Sequence, residues 1–179
     1  THVNIPVVET FQGAGVISHD LEHTFYGRIG LFRNQPGDML LKRSDLVIAV
    51  GYDPIEYEAR NWNAEIDSRI IVIDNAIAEI DTYYQPEREL IGDIAATLDN
   101  LLPAVRGYKI PKGTKDYLDG LHEVAEQHEF DTENTEEGRI HPLDLVSTFQ
   151  EIVKDDETVT VDVGSLYIWM ARHFKSYEP

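Results

Sequence analysis

Leu46-Val47-Ile48-Ala49-Val50-Gly51 and Arg69-Ile70-Ile71-Val72-Ile73-Asp74 are the two stretches on which the fold turns. Neither alternates apolar with polar residues. A short β-branched run that is apolar throughout is the pattern of a strand buried on both faces, as in a parallel sheet. One run closes on Gly51 and the other on Asp74, so each ends where a connecting segment should begin. Upstream, Ile5 to Thr10 is a further candidate strand, and Leu90-Ile91 is a short fourth.

The intervening segments carry helix signals. Pro36 suits the first turn of a helix through Met39-Leu40-Leu41, and Asp93 is placed to cap a helix from Ile94 to Leu102. Strands alternating with helices predict βαβ crossovers, hence an α/β fold with a Rossmann-like open parallel sheet and flanking helices. Beyond Pro103 the texture changes. Val105 to Gly113 connects, Thr114 to His128 reads as a helix, and Phe130 to Arg139 reads as a solvated acidic linker. The pattern then restarts: a helix from Pro142 through Val153, a strand from Thr158 to Val163 and a helix from Leu166 to Phe174. The expected division is a central domain over 1–104, a linker with a helix over 105–140, and the truncated αβα start of a second α/β domain over 141–179.

Composition excludes several classes of function. The 179 residues carry a formal net charge of −18, which opposes binding to a nucleic-acid backbone or an anionic membrane surface. No apolar run approaches the roughly 18 residues of a membrane span. With no cysteine, disulfide and thiolate chemistry are absent, which is compatible with a cytoplasmic setting.

Candidate chemistry lies in the loops. Gln12-Gly13-Ala14-Gly15 follows the first strand as a phosphate-binding turn or, more plainly, a tight strand-to-helix turn. His19 and His23 have helical i, i+4 spacing, but Asp20 stands where a zinc protease has glutamate, and a solvated face is the better reading. Gly27-Arg28-Ile29-Gly30-Leu31-Phe32-Arg33-Asn34-Gln35-Pro36-Gly37-Asp38 is polar and conformationally demanding. It reads equally as a functional loop or as a connection with Arg33 paired to a carboxylate. Gly51-Tyr52-Asp53-Pro54-Ile55-Glu56-Tyr57 follows the clearest strand, where open parallel sheets collect ligands; its Asp-Pro step also suits a turn. Asp74 fits either a ribose contact or a cap, and Asp162-Val163-Gly164-Ser165 forms a strand-to-helix turn of the kind that accepts phosphate.

Together with Val8-Glu9-Thr10-Phe11, Tyr84 through Asp93, His141-Pro142-Leu143 and Ile168-Trp169-Met170, these segments resemble the thiamine-diphosphate-dependent enzyme superfamily. Within it, they are most similar to the catabolic, FAD-independent acetolactate synthases. The resemblance runs along nearly the whole chain in the family's order. It implies an enzyme of three domains: a first with the glutamate that activates the cofactor, a Rossmann-like centre, and a third that holds the diphosphate and magnesium. By that pattern the chain is expected to be a fragment, lacking the first strand and helix of the centre and the metal motif of the third domain, and inactive alone. The implied reaction condenses two pyruvates with loss of carbon dioxide to give 2-acetolactate, the entry to acetoin, in a homo-oligomer (dimer or tetramer) using thiamine diphosphate and Mg2+.

Residue by residue, the resemblance assigns Val163, Gly164, Ser165 and Leu166 to the diphosphate edge, although Leu166 replaces the usual histidine. It places Gln12, Leu31, Phe32, Arg33 and Gln35 near the active site. FAD is not expected, because Asp53-Pro54-Ile55-Glu56-Tyr57 lacks the arginines of the flavin-binding relatives. No catalytic residue or metal ligand is assigned within the chain. The rival expectations are another 2-oxoacid decarboxylase or oxidase, a nucleotide-binding Rossmann-like module, or a purely architectural domain.

Overall fold

The apolar runs become strands with the boundaries their composition suggests. In the computed structural model, which describes residues 3–30, 35–129 and 138–178 (with the side chains of 126–129 outside the description), β3 is Leu46–Val50 and β4 is Arg69–Asp74. They pair in parallel, Leu46 opposite Arg69 through Val50 opposite Ile73, and β5 (Arg88–Ile91) adds to the other edge of β4. Upstream, β1 (Val7–Glu9) pairs in parallel with β2 (Phe25–Arg28). The helices are α1 (Pro36–Leu41), α2 (Ile94–Val105), α3 (Lys112–Glu129), α4 (Pro142–Ile152) and α5 (Ser165–His173). The parallel sheets flanked by helices match the α/β expectation.

The architecture departs from it in three respects. The strands form a pair, β1-β2, and a triplet, β3-β4-β5, instead of one continuous sheet. Among the described residues, the connections from β1 to β2, β3 to β4 and β4 to β5 contain only 3-10 turns and irregular chain. An aromatic layer takes the place of crossover helices there: Tyr52, Trp62 and Tyr84 pack edge-on, with ring centroids 5.3–6.4 Å apart. Local side-chain bonds shape these connections. Asp53 accepts from the Ile55 N–H, Asp74 from those of Asn75 and Ala76, and Asp81 from those of Tyr83 and Tyr84. Such Asx bonds compete with helix formation.

Second, the triplet is buried on one face. Ala49, Ile70 and Val72 point into a core with Ile29, Leu41, Tyr57, Ala59, Trp62 and Tyr84. On the other face Ile73 is buried, but Ile48 and Val50 are each 43% exposed. Third, Thr158 to Val163, read as a strand, forms no ladder. Among the described residues it has no hydrogen-bonding neighbour strand, and β propensity stabilises a strand only through such pairing.

The helix signals held. Asp93 accepts the Ala96 N–H at 2.8 Å and starts α2, which continues past Pro103 to Val105. Pro36 opens α1, where the Asp38 carboxylate accepts the Gln35 N–H at 3.1 Å in a capping box. His19 and His23 lie in a 3-10 helix, His19–Thr24, whose threefold period does not align residues four apart. His19 instead stacks on Tyr177 and pairs with Asp155.

Candidate functional site

The candidate site is built where β1 and β3 end. The 3-10 turn Phe11–Gly13 follows β1, and its Gln12 N–H donates to Glu56 Oε1 at 3.1 Å, joining it to the loop after β3. Phe11 stacks on Tyr167 of α5, with centroids 5.0 Å apart and planes inclined by 17°. The first turn of α5 is thereby brought to the end of β1. A cleft of about 420 Å³ lies beside this contact, lined by Phe11, Arg28, Tyr167, Lys175 and Tyr177 among others.

Two buried carboxylates fix the surroundings. Asp38 has no solvent exposure, and its Oδ1 accepts the Tyr57 hydroxyl at 2.7 Å. Burial raises its pKa, against the lowering effects of Tyr57, the Gln35 N–H, Lys42 and Arg172. Glu9 ends β1 and pairs with Arg28 at the end of β2, Nε to Oε1 2.9 Å, both side chains less than a tenth exposed. Burial likewise pushes the Glu9 pKa up, with the Arg28 guanidinium opposing. Arg28 also donates to the Ala171 carbonyl at 3.3 Å, a second tie to α5. Tyr52, whose pKa is pushed up to about 12 mainly by burial, stays a neutral donor to the Tyr57 carbonyl and accepts from Trp62 Nε1 at 3.2 Å.

The sequence-predicted residues fall into three groups. Gln12 is exposed in the turn after β1, and Gln35 is the half-buried residue that caps α1. Val163, Gly164, Ser165 and Leu166 are all exposed around the start of α5, with Val163 at 89%. Leu31, Phe32 and Arg33 lie outside the described residues. The Phe11–Tyr167 contact brings the turn that holds Gln12 close to the start of α5, while Gln35 stands at the start of α1.

Residues 1–101 match the protein family described as thiamine pyrophosphate enzyme, central domain. The chain belongs to that family. Acetolactate synthase of Bacillus subtilis (strain 168) is 45% identical over 177 residues, covering 99% of this chain and 31% of that protein. The catabolic acetolactate synthase of Raoultella terrigena is 40% identical over 169 residues, 93% of this chain and 30% of that protein. A 3D-(3,5/4)-trihydroxycyclohexane-1,2-dione hydrolase of Listeria monocytogenes serotype 4b (strain F2365) is 28% identical over 112 residues, 63% of this chain and 17% of that protein. The chain thus spans under a third of the length of these relatives.

For a thiamine pyrophosphate enzyme, the described residues offer little for the cofactor's own charges. Open backbone N–H groups at the start of α5, with free space over Gly164, fit one edge of an anionic group. No group of three or more His, Asp or Glu able to hold a metal occurs among the described residues. Sequence reasoning missed the Tyr57–Asp38 bond and the Glu9–Arg28 pair. Arg28 and Asp38 lay in the segment singled out for its polarity, Tyr57 in the loop after the clearest strand and Glu9 in a candidate strand, but nothing in the spacing pairs residues 19 positions apart.

Proposed function

We propose that this chain is the central scaffold, with part of the cofactor domain, of an acetolactate synthase that condenses two pyruvates with loss of carbon dioxide. The observation that carries the reading is the continuity of the likeness. The 45% identity to the Bacillus subtilis acetolactate synthase covers 99% of the chain, well past the central-domain match that ends at residue 101. The proposed division places the central domain at 1–104, the linker at 105–140 and the cofactor-domain start at 141–179. The end of α2 at Val105 and the start of α4 at Pro142 support it.

In this reading thiamine diphosphate with Mg2+ supplies the electron sink for decarboxylation and carbon–carbon bond formation. Gly164 and Ser165 hold one edge of the diphosphate through backbone N–H groups, flanked by Val163 and Leu166. Gln12, Leu31, Phe32, Arg33 and Gln35 form the side of the site contributed by the central domain. Glu9, Arg28 and Asp38 do not react; they fix the turn, the loop after β3 and α5 in relation to one another. The enzyme acts in the cytoplasm as a homo-oligomer, without FAD. No helix among the described residues is long and apolar enough to cross a membrane.

The test is product analysis of the enzyme containing this chain, supplied with pyruvate, thiamine diphosphate and Mg2+. Acetolactate as the main product supports the reading. Acetaldehyde alone would assign a simple decarboxylase and peroxide an oxidase, and either would overturn it.

A further inference from the structure

At the opposite end of the β1-β2 pair, where both strands begin, a second cleft of about 790 Å³ opens between the sheet and α3. Tyr26, His23, His122, Lys109, Lys115 and Asp119 line it, at the other end of β1 from the Gln12 turn. Tyr26 is only 7% exposed, with its ring against His122 at 4.3 Å between centroids. Its hydroxyl makes no hydrogen bond to any described residue, although it borders the cleft. The ring is buried while the hydroxyl opens into the cleft, so it is free to donate to a group bound there. Burial, reinforced by the charge of Asp119, pushes its pKa up to about 12, so it is an intact O–H donor at neutral pH.

The charges at this cleft run against those of the chain. Acidic residues outnumber basic ones by 33 to 15, yet neither Lys109 nor Lys115 forms an ion pair with a described carboxylate. His122 adds a ring whose Nε2 donates to the His23 carbonyl at 3.3 Å. Asp119 is the one carboxylate of the lining. Two exposed ammonium groups without a carboxylate partner and a hydroxyl open to the cleft are all donors, and an anionic oxygen is the group that can accept from all three.

We propose that this cleft is a binding site for a small, multiply charged oxyanion of the phosphate or polycarboxylate class, held by Lys109, Lys115 and the Tyr26 hydroxyl. Its volume is in the range of sites for small metabolites. The site stands apart from the end of the sheet assigned to chemistry, so the inference does not rest on the proposed function.

Calorimetric titration of the protein at low ionic strength with inorganic pyrophosphate and, separately, with citrate tests it. Saturable binding of either is expected, and whichever binds more tightly identifies the phosphate or the carboxylate class. The double variant Lys109→Gln/Lys115→Gln should weaken that binding about tenfold or more, two charge-assisted contacts being lost. Tyr26→Phe, which preserves the packed ring, should weaken it about tenfold or more, the worth of one hydrogen bond to a charged acceptor. Lys112→Gln, on the same turn of α3 but outside the lining, should leave it unchanged. The proposal is overturned if neither anion binds saturably, if the double variant binds as the parent does, or if Lys112→Gln weakens binding as much as the double variant. Circular dichroism of each variant separates lost binding from lost folding.

Discussion

Asp38 shows how a single buried charge is tolerated and what it does to stability. Its two oxygens accept from the Tyr57 hydroxyl and the Gln35 N–H, so the carboxylate is enclosed but satisfied. Tyr57→Phe removes one of those donors and should destabilise the fold by about 1.5–3 kcal/mol in urea denaturation. Because burial raises the Asp38 pKa above its ordinary 3.8, the folded chain keeps this proton to higher pH than the unfolded chain does. The group's contribution to stability is therefore full below 3.8, declines as pH rises through the folded value, and is level above it. Asp38→Asn keeps an oxygen for Tyr57 but cannot titrate. The stability of the parent relative to this variant should fall as pH rises above 3.8 and flatten once the folded carboxyl is ionised. Other titrating groups are common to both proteins and cancel in the difference. A constant difference as pH rises above 3.8 would show that Asp38 titrates at its ordinary value.

Helix α1 is held against the β1-β2 pair by the absence of a side chain. A Cβ at Gly37 would meet Ile29 Cγ2 at 2.9 Å, Val8 Cγ1 at 3.0 Å and the Tyr26 carbonyl oxygen at 3.2 Å. The carbonyl cannot swing aside as a flexible side chain would. Gly37→Ala should therefore destabilise the protein by about 1–3 kcal/mol despite the better helix propensity of alanine, read as a lowered midpoint of thermal unfolding. This contact also marks the limit of what the sequence discloses. β3 and β4 were legible because their composition alone is strand-like, and α1 and α2 because Pro36 and Asp93 are local start signals. β2 was not, because Phe25-Tyr26-Gly27-Arg28 leads into a glycine- and arginine-rich stretch and becomes a strand only by pairing with β1. Thr158 to Val163 erred the other way: strand-like composition without a neighbour to pair with. At the candidate site, the Gly164-Ser165 helix start could be read locally. Its approach to the Gln12 turn depends on Phe11 meeting Tyr167, a contact no local pattern announces.

Across the whole molecule, Arg28 is the residue that links the amino-terminal sheet to the carboxy-terminal helices. It neutralises Glu9 in the interior and donates to Ala171 of α5, while Phe11 and Tyr167 stack nearby and Lys175 reaches Glu22 at 2.9 Å. The raised Glu9 pKa shows that desolvation outweighs the attraction of Arg28 even with the pair intact. Removing Arg28 alone then strands a buried carboxylate, and Arg28→Met should destabilise the protein by about 3–5 kcal/mol at neutral pH. Without Arg28 the Glu9 pKa rises further, so the loss should shrink as pH falls toward the raised value of the intact pair and be level below it. The double variant Glu9→Gln/Arg28→Met carries no stranded charge and should recover much of the stability at neutral pH. Its α5 amides should nevertheless exchange with solvent faster than those of the parent, because the bond to the Ala171 carbonyl is gone in both variants. Denaturation at two pH values combined with hydrogen exchange separates the two roles. Restored stability with fast exchange in α5 assigns neutralisation to the Glu9 pair and docking of α5 to Arg28. Restored stability with unchanged exchange would mean that the Phe11–Tyr167 stack and the Lys175–Glu22 pair hold α5 in place without it.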